Sequence, residues 1–251
     1  SILRMLKFYR RGYTAALPTD DGLYRDILPD GTPTSAHTYN GVWFDSSRNQ
    51  IGTGRVSRWV YNLTTNTWAR SRWTYDGSGP TTFTINQQIH YHAGRDALYG
   101  FPGRSDTDYF SFGKCPAGSA AWVGASVPSN YASTAISSVR LTADRVAFFW
   151  YHNSAERWGI YNMATESWES GSGGAITGGK ALTYLSEMMP AVYVPTWGTQ
   201  GQIIRRGTAD GLLGQWWVFD IASKANLTYA PAGSPPGTPI CSGNKYRDMP
   251  N

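Results

Sequence analysis

Apolar and polar positions alternate along this chain in short runs, and the runs return. The clearest begins with Trp59-Val60-Tyr61 and passes through Asn62-Leu63-Thr64-Thr65-Asn66-Thr67 to Trp68. A hundred positions later Gly159-Ile160-Tyr161 passes through Asn162-Met163-Ala164-Thr165-Glu166-Ser167 to Trp168. The apolar lead-in predicts a short half-buried strand ending at Leu63 or Met163. The small polar residues predict a reversal, and the Trp opens the returning strand. Two hairpins in the same phase point to a repeat architecture.

Weaker copies fall between and after these two. Tyr109-Phe110-Ser111-Phe112 precedes a Gly-containing turn and Trp122, and Trp217-Val218-Phe219-Asp220-Ile221 runs into a turn with no Trp. Leu6-Lys7-Phe8-Tyr9 has the apolar phase alone. Phe8, Tyr61, Phe110, Tyr161 and Phe219 serve as phase markers, with a period of roughly 50 residues, enough for about four strands. A second marker supports this phase. Residues 96–100, 145–149 and 191–194 each form a mostly apolar run upstream of an aromatic turn, with 50–54 as the counterpart in the first unit. Each is expected to be a strand buried between neighbouring sheets.

The two octets resemble the hairpin between the third and fourth strands of kelch (galactose-oxidase-type) repeats, which reads aromatic-Asp/Asn, polar turn, Trp. The resemblance covers residues 36 to 230. It implies an all-β, kelch-like β-propeller of about five four-stranded blades, with four as the alternative. The chain departs from the kelch pattern at the Gly-Gly pair that ends the second strand. Only Gly52-Thr53-Gly54 and Gly100-Phe101-Pro102-Gly103 come near it. An open ring would leave two sheet edges exposed to aggregation, so the first and last blades must join. The expectation is therefore one domain over 1–251. Residues 1–35 supply closing strands or an arm, 36–230 the repeat units, and 231–251 a Pro/Gly-rich tail. Residues 2–13 would give outer strands of the closing blade, and 238–241 an inner one.

Composition agrees with β structure. The 251 residues include 11 Trp, 16 Tyr and 28 Gly, and only 16% are charged. Aromatics suit pleated, half-buried surfaces, and Gly suits frequent tight turns. No stretch of a dozen residues shows helical periodicity. The net charge of +5 mixes 22 basic with 17 acidic residues, which keeps a domain soluble and does not single out nucleic acid as a partner. Cys115 and Cys241 lie too far apart in sequence for a zinc spacing, and whether they pair is open. No apolar run approaches the ~20 residues of a membrane span.

Candidate chemistry is sparse. His90 and His92 share a strand face and could begin a metal site, but no third ligand is evident. They are expected to be ordinary strand histidines on a half-exposed face. Asp20-Asp21 and Asp106-Thr107-Asp108 are acidic turns without the ligand count of a calcium loop. The arginine pairs are Arg10-Arg11, Arg70 with Arg72, and Arg205-Arg206, expected on solvated edges. Arg70 and Arg72 could also grip a carboxylate or phosphate. Trp43, Trp73, Trp150 and Trp197 lie outside the repeat position and are candidate binding aromatics. No nucleophile elbow, phosphate loop or metalloprotease helix is present, so no catalytic residue, cofactor or metal is expected.

Two functional expectations follow. The first is a non-enzymatic structural or interaction module, oligomeric with other proteins of a larger assembly. A virion component, most naturally of a bacteriophage, fits an aromatic, Gly-rich, weakly charged chain with no export signal at its start. The second is a glycan-binding or glycan-cleaving propeller. Cleavage needs two carboxylates at a defined separation. Asp144, Glu156, Glu166, Glu169 and Glu187 offer acids without a pattern.

Overall fold

The computed structural model describes residues 42–53, 59–70, 88–101, 112–118, 123–130, 135–178, 191–206 and 216–227. These residues form four antiparallel sheets of four strands each. The first sheet holds β1 (Val42–Asp45), β2 (Gln50–Thr53), β3 (Trp59–Asn62) and β4 (Thr67–Arg70). The second holds β5 (Gln88–His92), β6 (Ala97–Phe101), β7 (Gly113–Pro116) and β8 (Val123–Gly124). The third holds β9 (Ala135–Arg140), β10 (Arg145–His152), β11 (Ala155–Asn162) and β12 (Ser167–Trp168). The fourth holds β13 (Ala191–Val194), β14 (Gln202–Arg206), β15 (Trp216–Asp220) and β16 (Ala225–Leu227). Strand order in space is chain order in every sheet, so each is a meander. Among the described residues no helix is long and apolar enough to cross a membrane.

One turn recurs, and its chemistry explains why these polar stretches reverse the chain. Asn62 Oδ1 accepts from the backbone N–H groups of Thr64 and Thr65, and Asn66 sits at φ 55°. Asn162 does the same for Ala164 and Thr165, with Glu166 at φ 56°. Asp45 caps Ser47 and Arg48, with Asn49 at φ 51°. Asp220 caps Ser223, with Lys224 at φ 58°. His92 plays the part with Nδ1, accepting from Arg95, with Asp96 at φ 46°. A side-chain acceptor at the first position relieves the backbone of the turn, and the left-handed residue returns it to the ladder. The β10–β11 connection differs. Asn153 and Ser154 both take positive φ, as a two-residue hairpin requires.

The sheets stack face on face. β1 lies beside β5, β5 beside β9, and β9 beside β13, so the first strands line up in series. Each sheet has a leading face, toward the preceding sheet, and a trailing face, toward the next. Trp43 and Val60 on the trailing face of the first sheet pack on Ile89, Tyr91, Leu98 and Cys115 of the second. Ala97, Tyr99, Phe101 and Phe112 then meet Val146, Phe148, Trp150 and Tyr161 of the third. Ala147, Phe149, Trp158 and Ile160 in turn meet Ile203 and Phe219 of the fourth. The two octets occupy the same place in their sheets. Tyr61 pairs with Trp68 and Tyr161 with Trp168 across the strands, each with ring centroids 5.1 Å apart.

Three expectations need correction. In the second sheet the counterpart of Tyr61 is Cys115, which pairs with Leu98 as Tyr61 pairs with Ile51. The marker therefore falls five residues beyond Phe110, which lies outside the described residues with Trp122. Residues 191–194 form a first strand, β13, and the second strand of that sheet is β14. On the face that carries both histidines His92 is buried and His90 half-buried, because the third sheet packs on it. The closing strands expected at 2–13 and 238–241 lie outside the described residues.

Gly100 shows how tightly the ladders fit. It sits in β6 at φ 141°, and a Cβ there would stand 1.8 Å from the carbonyl oxygen of Gln88. That atom is backbone in the paired strand and cannot swing away. Gly100→Ala is expected to cost about 2 kcal/mol or more, from strain plus overpacking, read as a fall in chemical-denaturation midpoint. A stability change under 0.5 kcal/mol would contradict the close approach.

Candidate functional site

The first strands of three sheets enclose a pocket of about 470 Å³. Val42, Trp43, Phe44 and Ser46 come from the first sheet, Ile89, His90 and Tyr91 from the second, and Ser138 and Arg140 from the third. Strand alternation sets this lining. Val42 and Phe44 are 48% and 47% exposed, whereas Trp43 between them is buried.

A hydrogen-bonded chain runs along one wall. Ser138 Oγ donates to Gln88 Oε1 at 2.6 Å and lies 2.8 Å from His90 Nε2. The single hydroxyl proton is committed to Gln88, so His90 carries its proton on Nε2 and donates to Ser138. Burial, then the nearby Arg140 charge, pushes His90 down to about 3. The ring also meets Phe148 edge-on at 5.8 Å. His90 is thus a neutral donor and not a base for Ser138, and the pair lacks the polarity of a nucleophilic dyad. Arg140 gives Nε to the carbonyl of Thr142 at 3.1 Å and Nη2 to that of Ala143 at 2.5 Å.

Outside the pocket, charged groups staple the sheets together. Arg48 bridges Asp45 at 2.7 Å to Asp96 at 2.6 Å, linking first and second sheets. Its proton is held more firmly than usual, chiefly by the bond to Asp45. Glu166 accepts from Tyr99 and Lys114, each at 2.7 Å, linking second and third. Its carboxyl is lowered, most of all by Lys114. Tyr99 is raised by burial and by Glu166. His92 lies 2.8 Å from Asp144, and Arg95 donates to the carbonyl of Ala164. Between third and fourth sheets, Arg205 and Glu156 form a fully buried ion pair. Arg205 also donates to Asn226 at 2.9 Å and lies 4.0 Å over the Phe149 ring.

These positions settle several candidates. Trp43 and Trp150 were expected to offer binding faces. Both are buried, because their strands are covered on the face they occupy, and Trp150 donates Nε1 to the carbonyl of Asn130. Trp197 is 44% exposed on the loop between β13 and β14. Arg205 is in the core and not on a solvated edge. Arg70 ends β4, while Arg72, Trp73, Glu187, Cys241 and both acidic turns lie outside the described residues. Glu156, Glu166, Glu169 and Asp144 are each tied to a cation or histidine, and none lines the pocket. Cys115 is buried, which pushes its thiol up to about 12. Among the described residues no three His, Cys, Asp or Glu side chains converge for a metal. Sequence reasoning missed Gln88, Ser138 and Arg140: the last two share β9, and Gln88 lies fifty residues before Ser138 and meets it only across sheets.

No family model matches the chain, and no curated relative matches it.

Breaking the buried pair leaves one charge stranded. Glu156→Gln is expected to cost about 3–5 kcal/mol in denaturant unfolding, while Glu156→Leu with Arg205→Met together recovers most of the loss. Equal costs for the single and double variants would refute the pairing. His90 supplies a pH signature. The unfolded chain binds a proton at this residue below about 6.5 and the folded chain does not until about 3. Stability therefore falls as pH drops from 6.5 toward 3. His90→Gln should flatten the decline between pH 6.5 and 5, where carboxylates contribute little, in melting temperatures taken across that range. An unaltered slope would count against a neutral His90.

Proposed function

We propose that this chain is a kelch-like β-propeller acting as a non-enzymatic interaction scaffold in a multi-protein assembly, a virus particle and most naturally a bacteriophage. The observation that carries the reading is the stacking rule: the leading faces of the second, third and fourth sheets are each packed on the preceding sheet, and ion pairs tie neighbours together. Such stacking favours a rigid body whose loops present surfaces to partners. Among the described residues the pocket has no carboxylate pair and no activated nucleophile, which disfavours the glycan-cleaving alternative. The virion assignment rests on the aromatic, Gly-rich, weakly charged composition.

Ring closure is part of the same proposal. The rule leaves two faces over. On the leading face of the first sheet, Phe44, Ile51, Tyr61 and Trp68 line up by register, and all are half-buried or exposed. On the trailing face of the fourth, Val192, Ile204, Val218 and Leu227 line up, with Val192 60% exposed. Tyr161, the twin of Tyr61, is fully covered by the second sheet. We assign the closing strands expected at residues 2–13 and 238–241 to a fifth blade that covers Ile51, Tyr61 and Trp68 on one side and the second row on the other, leaving Phe44 to the pocket.

The two parts are tested separately. If the ring closes, Tyr61→Ala destabilises by about 3–5 kcal/mol, as Tyr161→Ala does, and removing residues 1–35 abolishes the difference between Tyr61→Ala and its own background. A Tyr61→Ala cost below about 1 kcal/mol in the whole chain overturns closure. For the assembly role, tagged protein expressed with its neighbouring genes should co-sediment with a larger particle. A monomeric chain, with particles that assemble and function normally in its absence, would refute it.

A further inference from the structure

We propose that the pocket between β1, β5 and β9 binds a small carboxylate carried on a ring. The argument is chemical. One end of the lining is apolar, with Val42 and Phe44 exposed and the Ile89 side chain behind them. The opposite side carries Arg140, the Ser138 hydroxyl and the His90 imidazole. Among the described residues no acidic side chain lines the space. Asp144 lies close enough to Arg140 to moderate its charge, but it is engaged with His92.

The Arg140 guanidinium is the donor that favours an anion over a neutral ligand, because Ser138 gives its hydroxyl proton to Gln88 and His90 Nε2 gives its own to Ser138. Arg140 spends Nε and Nη2 on backbone carbonyls, which fixes the plane of the guanidinium and leaves Nη1 to give. His90 adds no second charge, so Arg140 is the cation an entering acid meets among the described lining residues. The volume of about 470 Å³ falls in the range of small-molecule sites and admits a ring together with water. The exposed Phe44 face can lie against either an aromatic ring or the C–H face of a sugar. Two sources share this chemistry, an aromatic acid and a uronic sugar.

The test titrates the whole chain with benzoate and glucuronate, against benzyl alcohol and glucose as neutral counterparts, by calorimetry and by NMR of the His90 ring. At least one acid should bind tenfold or more tightly than its neutral partner and shift the His90 signals, and which acid does so names the source. Arg140→Gln should weaken that acid about tenfold or more, and Arg140→Lys should recover part of the loss. Binding of neither acid overturns the proposal. So does equal binding of acid and neutral partner, or an Arg140→Gln variant that binds as well as the original. Should Arg140→Gln fail to fold, an acid that binds without moving the His90 signals overturns it as well. The site stands or falls on the pocket alone, so loss of the assembly role leaves it intact.

Discussion

A four-stranded sheet with apolar side chains on both faces cannot stand alone. Each strand here sends alternate residues to opposite sides, and in the second and third sheets both sides are apolar. The only arrangement that removes both from water is a neighbour on each side. Tyr161 and Trp168 on one face of the third sheet, and Phe149 and Trp158 on the other, are covered at once because two sheets flank it. Every other feature follows from this need for stacking. The core is split into three interface clusters and is not a single centre, which is how quasi-repetitive proteins distribute their stability.

Polar groups then decide the register of the stack. Apolar faces slide past one another with little preference, whereas Arg205 and Glu156 fit in one position only. Burying that pair sacrifices hydration that the mutual attraction and the bond to Asn226 must offset. Arg48 and Glu166 do the same job nearer the surface, where solvent screens them and the contribution is smaller. Among the described residues Arg140 is the cation that lines the pocket.

The hairpins were legible because their signal is local. Asn62 and Asn162 cap turns through atoms two and three residues away, so the motif carries its own cause. The second unit was mis-phased because its turn has a different grammar. Pro116 stands where Asn62 would, and Cys115 replaces the tyrosine, so the aromatic run at 109–112 was a false beacon. The tryptophans misled for a related reason. Trp43 and Trp150 lie outside the repeat position in the sequence, yet they fill interfaces that exist only once two sheets have met.

The sequence by itself determined the strands, the turns and their rough fifty-residue spacing, because strand alternation and Asx capping act over a few residues. Tertiary structure alone decided which faces are covered, which arginine is buried, and that Gln88, His90, Ser138 and Arg140 meet at one wall. Those outcomes depend on side chains from different sheets competing for the same space, and no short stretch of chain contains that competition.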